Sequence, residues 1–163
     1  LISGLAILLQ FNLFTILIGI SSLALVFTYP LLKRVTYWPQ AFLGLTFNWG
    51  ALLGWAAVEG ELTWPAGLLY AGGIAWTLGY DTIYAHQDKK DDALIGVKSS
   101  ALALGDKTRP WLWVFYSLAL TAFAAAGVLA ETSWPFYTGL TATALILSFG
   151  SRSRCSSTLP ALS

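Results

Sequence analysis

Five stretches of this chain, residues 13–32, 41–58, 62–80, 110–130 and 134–150, are dominated by apolar side chains and carry no Asp, Glu, Lys or Arg at their centres. A helix that crosses the hydrocarbon of a bilayer needs about 20 mostly apolar residues, so each stretch is the right length to span one. Residues 1–9 are also apolar but short, set apart from the first stretch by Gln10 and Asn12. They have the character of the tail of an earlier span. The chain opens inside an apolar run and contains no Met, as expected of a segment whose own N-terminus lies further upstream.

The charges support the same reading. Only 10% of the 163 residues are charged, against about 25% in ordinary soluble domains. If the five stretches weave back and forth, Lys33, Arg34, Lys89, Lys90, Lys98, Lys107, Arg109, Arg152 and Arg154 all fall on one side. The other side receives Glu59, Glu61 and Glu131. That asymmetry follows the positive-inside rule, which assigns the basic side to the cytoplasm or the mitochondrial matrix. Trp38, Trp64, Trp111, Trp113 and Trp134 sit near the ends of the runs, where interfacial aromatics belong. The expected fold is an all-α integral-membrane bundle of five to six helices. Residues 1–150 form its single domain, and 151–163 read as a disordered or aberrant tail. A net charge of +1 without a basic stripe gives no footprint for nucleic acid. A lone cysteine, Cys155, excludes an intramolecular disulfide.

Against this apolar background, residues 80–100 hold Asp81, Asp88, Asp91 and Asp92, half of the eight acidic residues in the chain. If the helix over 62–80 runs on into this segment, Asp88 and Asp92 are i and i+4 and share one face. Asp81 and Tyr84 lie seven and four residues before Asp88, on the same stripe. Such a row of carboxylates repels itself unless a cation neutralises it. Mg²⁺ suits it, taking one or two carboxylates and filling its other positions with water and phosphate oxygens. With one His and one Cys in the chain, no set of the ligands that zinc or copper prefers exists, and the glycine and glutamate of a calcium-binding EF-hand loop do not occur at the required positions. The alternative is a solvated charge run partly neutralised by Lys89 and Lys90. A cation-binding transporter or channel component is a second functional class, but such proteins usually place ionisable groups near the bilayer midplane.

The segment DTIYAHQDKKDDALIGVKS closely resembles the second aspartate-rich motif of the UbiA-type 4-hydroxybenzoate polyprenyltransferases. The resemblance extends to TYPLLKRVTYWPQ and LGLTFNWGALLGW, and is closest to the mitochondrial enzymes of ubiquinone synthesis. It implies a membrane-embedded helical fold of nine helices, of which this chain would hold five or six. The implied reaction joins a polyprenyl chain, supplied as its diphosphate, to 4-hydroxybenzoate beside the ring hydroxyl and releases pyrophosphate. The implied setting is the mitochondrial inner membrane, or the bacterial inner membrane for a prokaryotic source, with membrane lipid and other ubiquinone-synthesis proteins as partners. The family's first aspartate-rich motif, of NDxxDxxxD type, and its last helix have no match here, so the chain is expected to be part of an enzyme and inactive alone.

The resemblance also distributes roles. Asp88 and Asp92 correspond to the DxxxD metal ligands, and Asp81 to the carboxylate that precedes them and orients a water or a neighbouring ligand. Lys33 and Arg34 correspond to the basic pair after the YP element. The guanidinium fork of Arg34 suits a carboxylate or a phosphate, leaving open which of the two it holds. Lys98 is a candidate phosphate contact, or a cation facing lipid headgroups. Tyr84 is a candidate hydrogen-bond donor to diphosphate. Asn48, well inside the 41–58 stretch, either lines the substrate cavity or bonds one helix to another. Gly44, Gly50 and Gly54 are positioned to let helices approach closely.

Overall fold

The computed structural model describes residues 2–32, 36–85 and 99–156. Among them stand eight α-helices: α1 (Ile2–Leu8), α2 (Leu13–Leu32), α3 (Pro39–Phe47), α4 (Trp49–Glu59), α5 (Trp64–Ala85), α6 (Ser100–Leu104), α7 (Thr108–Leu129) and α8 (Trp134–Ser156). A 3-10 turn, Gly105–Lys107, joins α6 to α7. The described residues contain no strand. Helix α8 continues past Gly150, where the composition changes, as far as Ser156.

Local chemistry fixes where these helices begin and end. Asn12 caps α2: its side-chain oxygen accepts from the Thr15 backbone N–H at 2.8 Å and from the Thr15 hydroxyl at 3.0 Å. The same side chain donates to the Ala56 carbonyl at 3.0 Å, which ties the start of α2 to α4. Pro39, Pro65, Pro110 and Pro135 all fall in the first turn of a helix, where their missing N–H has no intrahelical partner to lose. Gly60 closes α4 with φ 75, a left-handed conformation that a side chain would disfavour.

Helix α5 is the centre of the bundle, and it works through two faces. Gly72, Trp76 and Gly79 face α7. A Cβ at Gly72 would meet the Phe123 ring at 2.6 Å, and one at Gly79 would meet the Tyr116 ring at 2.8 Å. The Trp76 and Tyr116 rings meet edge to face at 5.2 Å. Tyr70, Gly73 and Thr77 face α3 and α4, with the Asn48 side chain seated on Gly73. Small residues at these helical spacings let backbones come close, so association rests on van der Waals contact, the main attraction available between helices in lipid. Of the three glycines expected to serve this purpose, Gly44 does, since a Cβ there would meet the Ile74 backbone at 3.3 Å. Gly50 and Gly54 do not, because nothing lies within 4 Å of a Cβ at either position.

All five apolar stretches are helical, but they differ in kind. Pro39–Glu59 and Thr108–Leu129 are long and apolar enough to cross a membrane, while the apolar part of α2, Leu13–Tyr29, is shorter. Helix α5 spends much of its length on Gly, Thr and Tyr at packed positions, which dilutes its apolarity. Its 22 residues nonetheless span about 33 Å at the helical rise, close to the hydrocarbon thickness. Large apolar side chains face outward, including Phe27, Phe47, Val58, Val128 and Ile146. That outer surface is suited to lipid, and the chain is an all-helical membrane bundle.

The glycine contacts give a first test. Gly72→Val should lower the stability of the detergent-solubilised bundle by about 1–3 kcal/mol through overpacking against Phe123. Gly50→Ala and Gly54→Ala should leave it unchanged or raise it by up to about 1 kcal/mol, through better helix propensity alone. Thermal unfolding followed by helical circular dichroism measures both.

Candidate functional site

The 41–58 stretch is expected to be one helix with Asn48 inside it. Instead the helix is interrupted at Asn48, between α3 and α4. The Gly44 carbonyl still accepts the Asn48 backbone N–H at 3.1 Å, but a break leaves the carbonyls that follow short of intrahelical donors, and lipid offers none. Side chains add a second donor at Gly44 and supply one at Leu45. Asn48 Nδ2 donates to the Gly44 carbonyl at 2.8 Å, and the Tyr70 hydroxyl donates to the Leu45 carbonyl at 2.8 Å. Asn48 Nδ2 also reaches the Thr77 hydroxyl on α5 at 2.8 Å. On the other side of the break, Trp49 Nε1 donates to the Ile18 carbonyl of α2 at 2.9 Å, and its ring meets Tyr70 edge to face at 5.7 Å. Asn48 is thus an interhelical bond at a helix break.

The face of α5 that holds Asn48 continues toward the helix end. Thr77, Asp81 and Tyr84 follow at i, i+4 and i+7, so they share one stripe. The expected continuation of the helix past Tyr80 is present as far as Ala85. Asp81 is half-buried in the last turns, and Tyr84 is exposed, its ring edge-on to Tyr80 at 6.4 Å. The structure therefore places Asp81, Tyr84 and Asn48 along one side of α5, with Asn48 deepest. Lys33, Arg34, Asp88, Asp91, Asp92 and Lys98 lie outside the described residues. Among the described residues, no group of three His, Cys, Asp or Glu could hold a metal ion.

A second group of polar residues meets at the same end, and sequence reasoning did not single it out. Thr82 and Ser100 are fully buried, and their hydroxyls lie 2.8 Å apart. The Ser100 backbone N–H donates to Gln40 Oε1, from the start of α3, at 3.1 Å. Ser99 is buried beside them, its hydroxyl without a hydrogen-bond partner. Gln40 and Ser99 close two of the sequence segments that carry the family resemblance, YWPQ and GVKS. That position was the available signal, but it does not reveal that the residues touch. Lys107 and Arg109, at the start of α7, belong to the same end of the bundle. Glu59, Glu61 and Glu131 belong to the other.

The helical membrane bundle thus gathers Asp81 and the buried hydroxyls of Thr82, Ser99 and Ser100 where α5 gives way to an aspartate-rich stretch of sequence. Residues 1–158 match the UbiA prenyltransferase family, and the chain belongs to it. It is 56% identical over 142 residues to the mitochondrial 4-hydroxybenzoate polyprenyltransferase of Caenorhabditis elegans, covering 86% of this chain and 40% of that protein. The proteins of the same name from Aedes aegypti and Homo sapiens are each 54% identical over 138 residues. These matches cover 84% of the chain and 31% and 37% of the respective relatives. The chain thus spans between 31% and 40% of the length of these relatives. No solved structure gives a significant match.

Removing the interhelical bond tests its weight. Thr77→Val should destabilise the bundle by about 1 kcal/mol, the usual scale for such a bond in a membrane protein. Asn48→Leu should cost more, because it also takes a donor from the Gly44 carbonyl and forces a bulkier group onto Gly73. Equilibrium unfolding in mixed micelles, followed by tryptophan fluorescence, gives the two values.

Proposed function

We propose that this chain contributes the second metal-binding half of a 4-hydroxybenzoate polyprenyltransferase acting in ubiquinone biosynthesis. The observation that carries the reading is identity of 53–56% with curated mitochondrial enzymes of that name across most of the chain. The polar end of α5 supports it, since Asp81 and Tyr84 stand where the helix leads into the DxxxD segment.

In this reading Asp88 and Asp92 are the carboxylates that hold Mg²⁺. The donors offered by the segment are oxygens, which fit a hard cation of that size. When bound, the cation would disperse the charge of the departing diphosphate and act as its template. The chain's own residues do the rest. Asp81, one helical turn beyond Thr77, orients a water or a neighbouring ligand. Arg34 pairs through two parallel N–H groups with the 4-hydroxybenzoate carboxylate or with the diphosphate. Lys33, Lys98 and Tyr84 add positive charge and a hydroxyl donor around the phosphates. Asn48 borders the deeper part of the cavity while holding α5. The protein sits in the mitochondrial inner membrane with its basic end on the matrix side, in keeping with the charge asymmetry. Residues 1–150 form one bundle, whose last helix, α8, runs on to Ser156. No described spanning helix carries an Asp, Glu, Lys or Arg at its centre, which disfavours a transport pathway.

In membranes from cells expressing the complete gene product, Asp88→Ala and Asp92→Ala should each lower Mg²⁺-dependent prenylation of 4-hydroxybenzoate by about 100-fold or more, whereas Asp91→Asn should change it by less than about threefold. Wild-type turnover in Asp88→Ala would remove the ligand assignment. Arg34→Lys should raise KM for one substrate only, and which KM rises identifies the anion that Arg34 holds.

A further inference from the structure

A serine placed just before a helix normally turns its hydroxyl back to cap the first turn. Ser99, at the start of α6, does not. The Leu102 and Ala103 N–H groups both go to its backbone carbonyl, each at 3.1 Å. Its hydroxyl has no hydrogen-bond partner, although the residue is only 2% exposed. A hydroxyl shut away from both water and protein partners costs free energy and calls for an explanation. Gln40 holds unspent bonding capacity at the same place. It is 7% exposed, and its Oε1 accepts the Ser100 backbone N–H at 3.1 Å. A backbone N–H only donates, so that bond fixes which end of the amide is oxygen. Among the described residues, nothing accepts from the Nε2 at the other end. Ser99 adjoins the residue that Gln40 holds. The two unpaired groups therefore meet at one junction, reached from α3 and from the turn into α6, beside the Thr82–Ser100 hydroxyl pair of α5 and α6.

Resting on the prenyltransferase reading above, we propose that Gln40 Nε2 and the Ser99 hydroxyl form a subsite for an anionic oxygen of the substrates, the carboxylate of the hydroxybenzoate or the diphosphate of the prenyl donor. The amide nitrogen and the hydroxyl both offer protons, while the Gln40 oxygen is committed to Ser100. A surplus of donors calls for a ligand rich in acceptors. Lys107 and Arg109 stand at the same end of the bundle and favour negative charge there. Side chains make the contact, since the Ser100, Leu102 and Ala103 N–H groups of α6 are already bonded. The Ser99 hydroxyl is shut in, but one turn about χ1 redirects it. Gln40 therefore receives the oxygen first, and Ser99 turns onto it, gaining the hydrogen bond that its hydroxyl otherwise lacks.

The test titrates the complete gene product, in detergent micelles with Mg²⁺, with inorganic pyrophosphate and separately with 4-hydroxybenzoate. The variants are Ser99→Ala and Gln40→Glu, the second of which keeps an oxygen for the Ser100 N–H and removes the Nε2 donors. Ser99→Ala should weaken binding of one probe by about fivefold or more and leave the other within about twofold of wild type. Gln40→Glu should weaken the same probe at least as much. The probe that responds identifies the anion. The second readout is thermal unfolding without either probe. Ser99→Ala should unfold at the wild-type temperature or above it, because its hydroxyl has no partner to lose. Wild-type affinity for both probes in Ser99→Ala makes the hydroxyl a packing group and overturns the subsite. An equal loss for both probes overturns it too, as does a lower unfolding temperature in Ser99→Ala or unchanged binding in a folded Gln40→Glu. Should Gln40→Glu fail to fold, the Ser99→Ala titrations decide alone. A wild type that binds neither probe also overturns the subsite. Prenyl transfer is assayed in the same preparation. A wild type that binds a probe but transfers no prenyl group overturns the prenyltransferase reading instead, and the titrations still decide the subsite.

Discussion

Inside hydrocarbon, a backbone N–H or C=O that lacks a partner cannot turn to water, and each such group costs several kcal/mol. The interruption at Asn48 is where this constraint presses hardest on the bundle. It is met by side chains from both sides of the break. Asn48 bonds the Gly44 carbonyl through both its backbone N–H and its side-chain amide, and Tyr70 reaches across from α5 to the Leu45 carbonyl. Because α5 supplies one of those donors and accepts the Asn48 amide at Thr77, the break and the central helix are a single structural unit. The face of α5 that serves the break also presents Asp81 and Tyr84 at its far end, so the constraint that stabilises the bundle also fixes where the polar end points.

Hydropathy and charge made the helices legible because both report directly on the solvent each segment meets. The start of α2 could be read from Asn12, and the extension of α5 past Tyr80 from the position of Asp81 and Tyr84 in the segment. The break at Asn48 could not. No proline or glycine occupies that position, and an isolated Asn in an apolar run reads equally well as lining a cavity or bonding one helix to another. The glycines show the same limit. Gly44, Gly50 and Gly54 have the spacing of a close-packed face, but only Gly44 meets a neighbour, while Gly72, Gly73 and Gly79 on α5 do most of the packing. Which face of a helix is turned to a partner depends on the other helices, and a single segment does not encode it.

The polar cluster illustrates a different kind of blindness. Gln40 and Ser100 are 60 residues apart, and each looks unremarkable where it stands, a polar residue at the edge of a span. Their significance comes from burial, which arises only when α3, α5 and α6 converge. The carboxylates, by contrast, were conspicuous from composition alone, since charge is rare in this chain. Sequence thus pointed to the chemical groups, and the fold supplied the framework around them.

The divided span has a consequence for how the protein is made. Helices α3 and α4 contain 9 and 11 residues, so each alone is too short to cross a bilayer, and the two meet at a junction deep in the membrane. When this segment first leaves the insertion machinery, the helix that carries Tyr70 and Thr77 has yet to be delivered. The junction then has no donor for the Leu45 carbonyl and no second acceptor for the Asn48 amide. A continuous helix is the better solution at that moment, and the break becomes favourable only after α5 arrives alongside. The break in the span therefore draws on a helix that follows it in the chain, through the Tyr70 and Thr77 hydroxyls of α5.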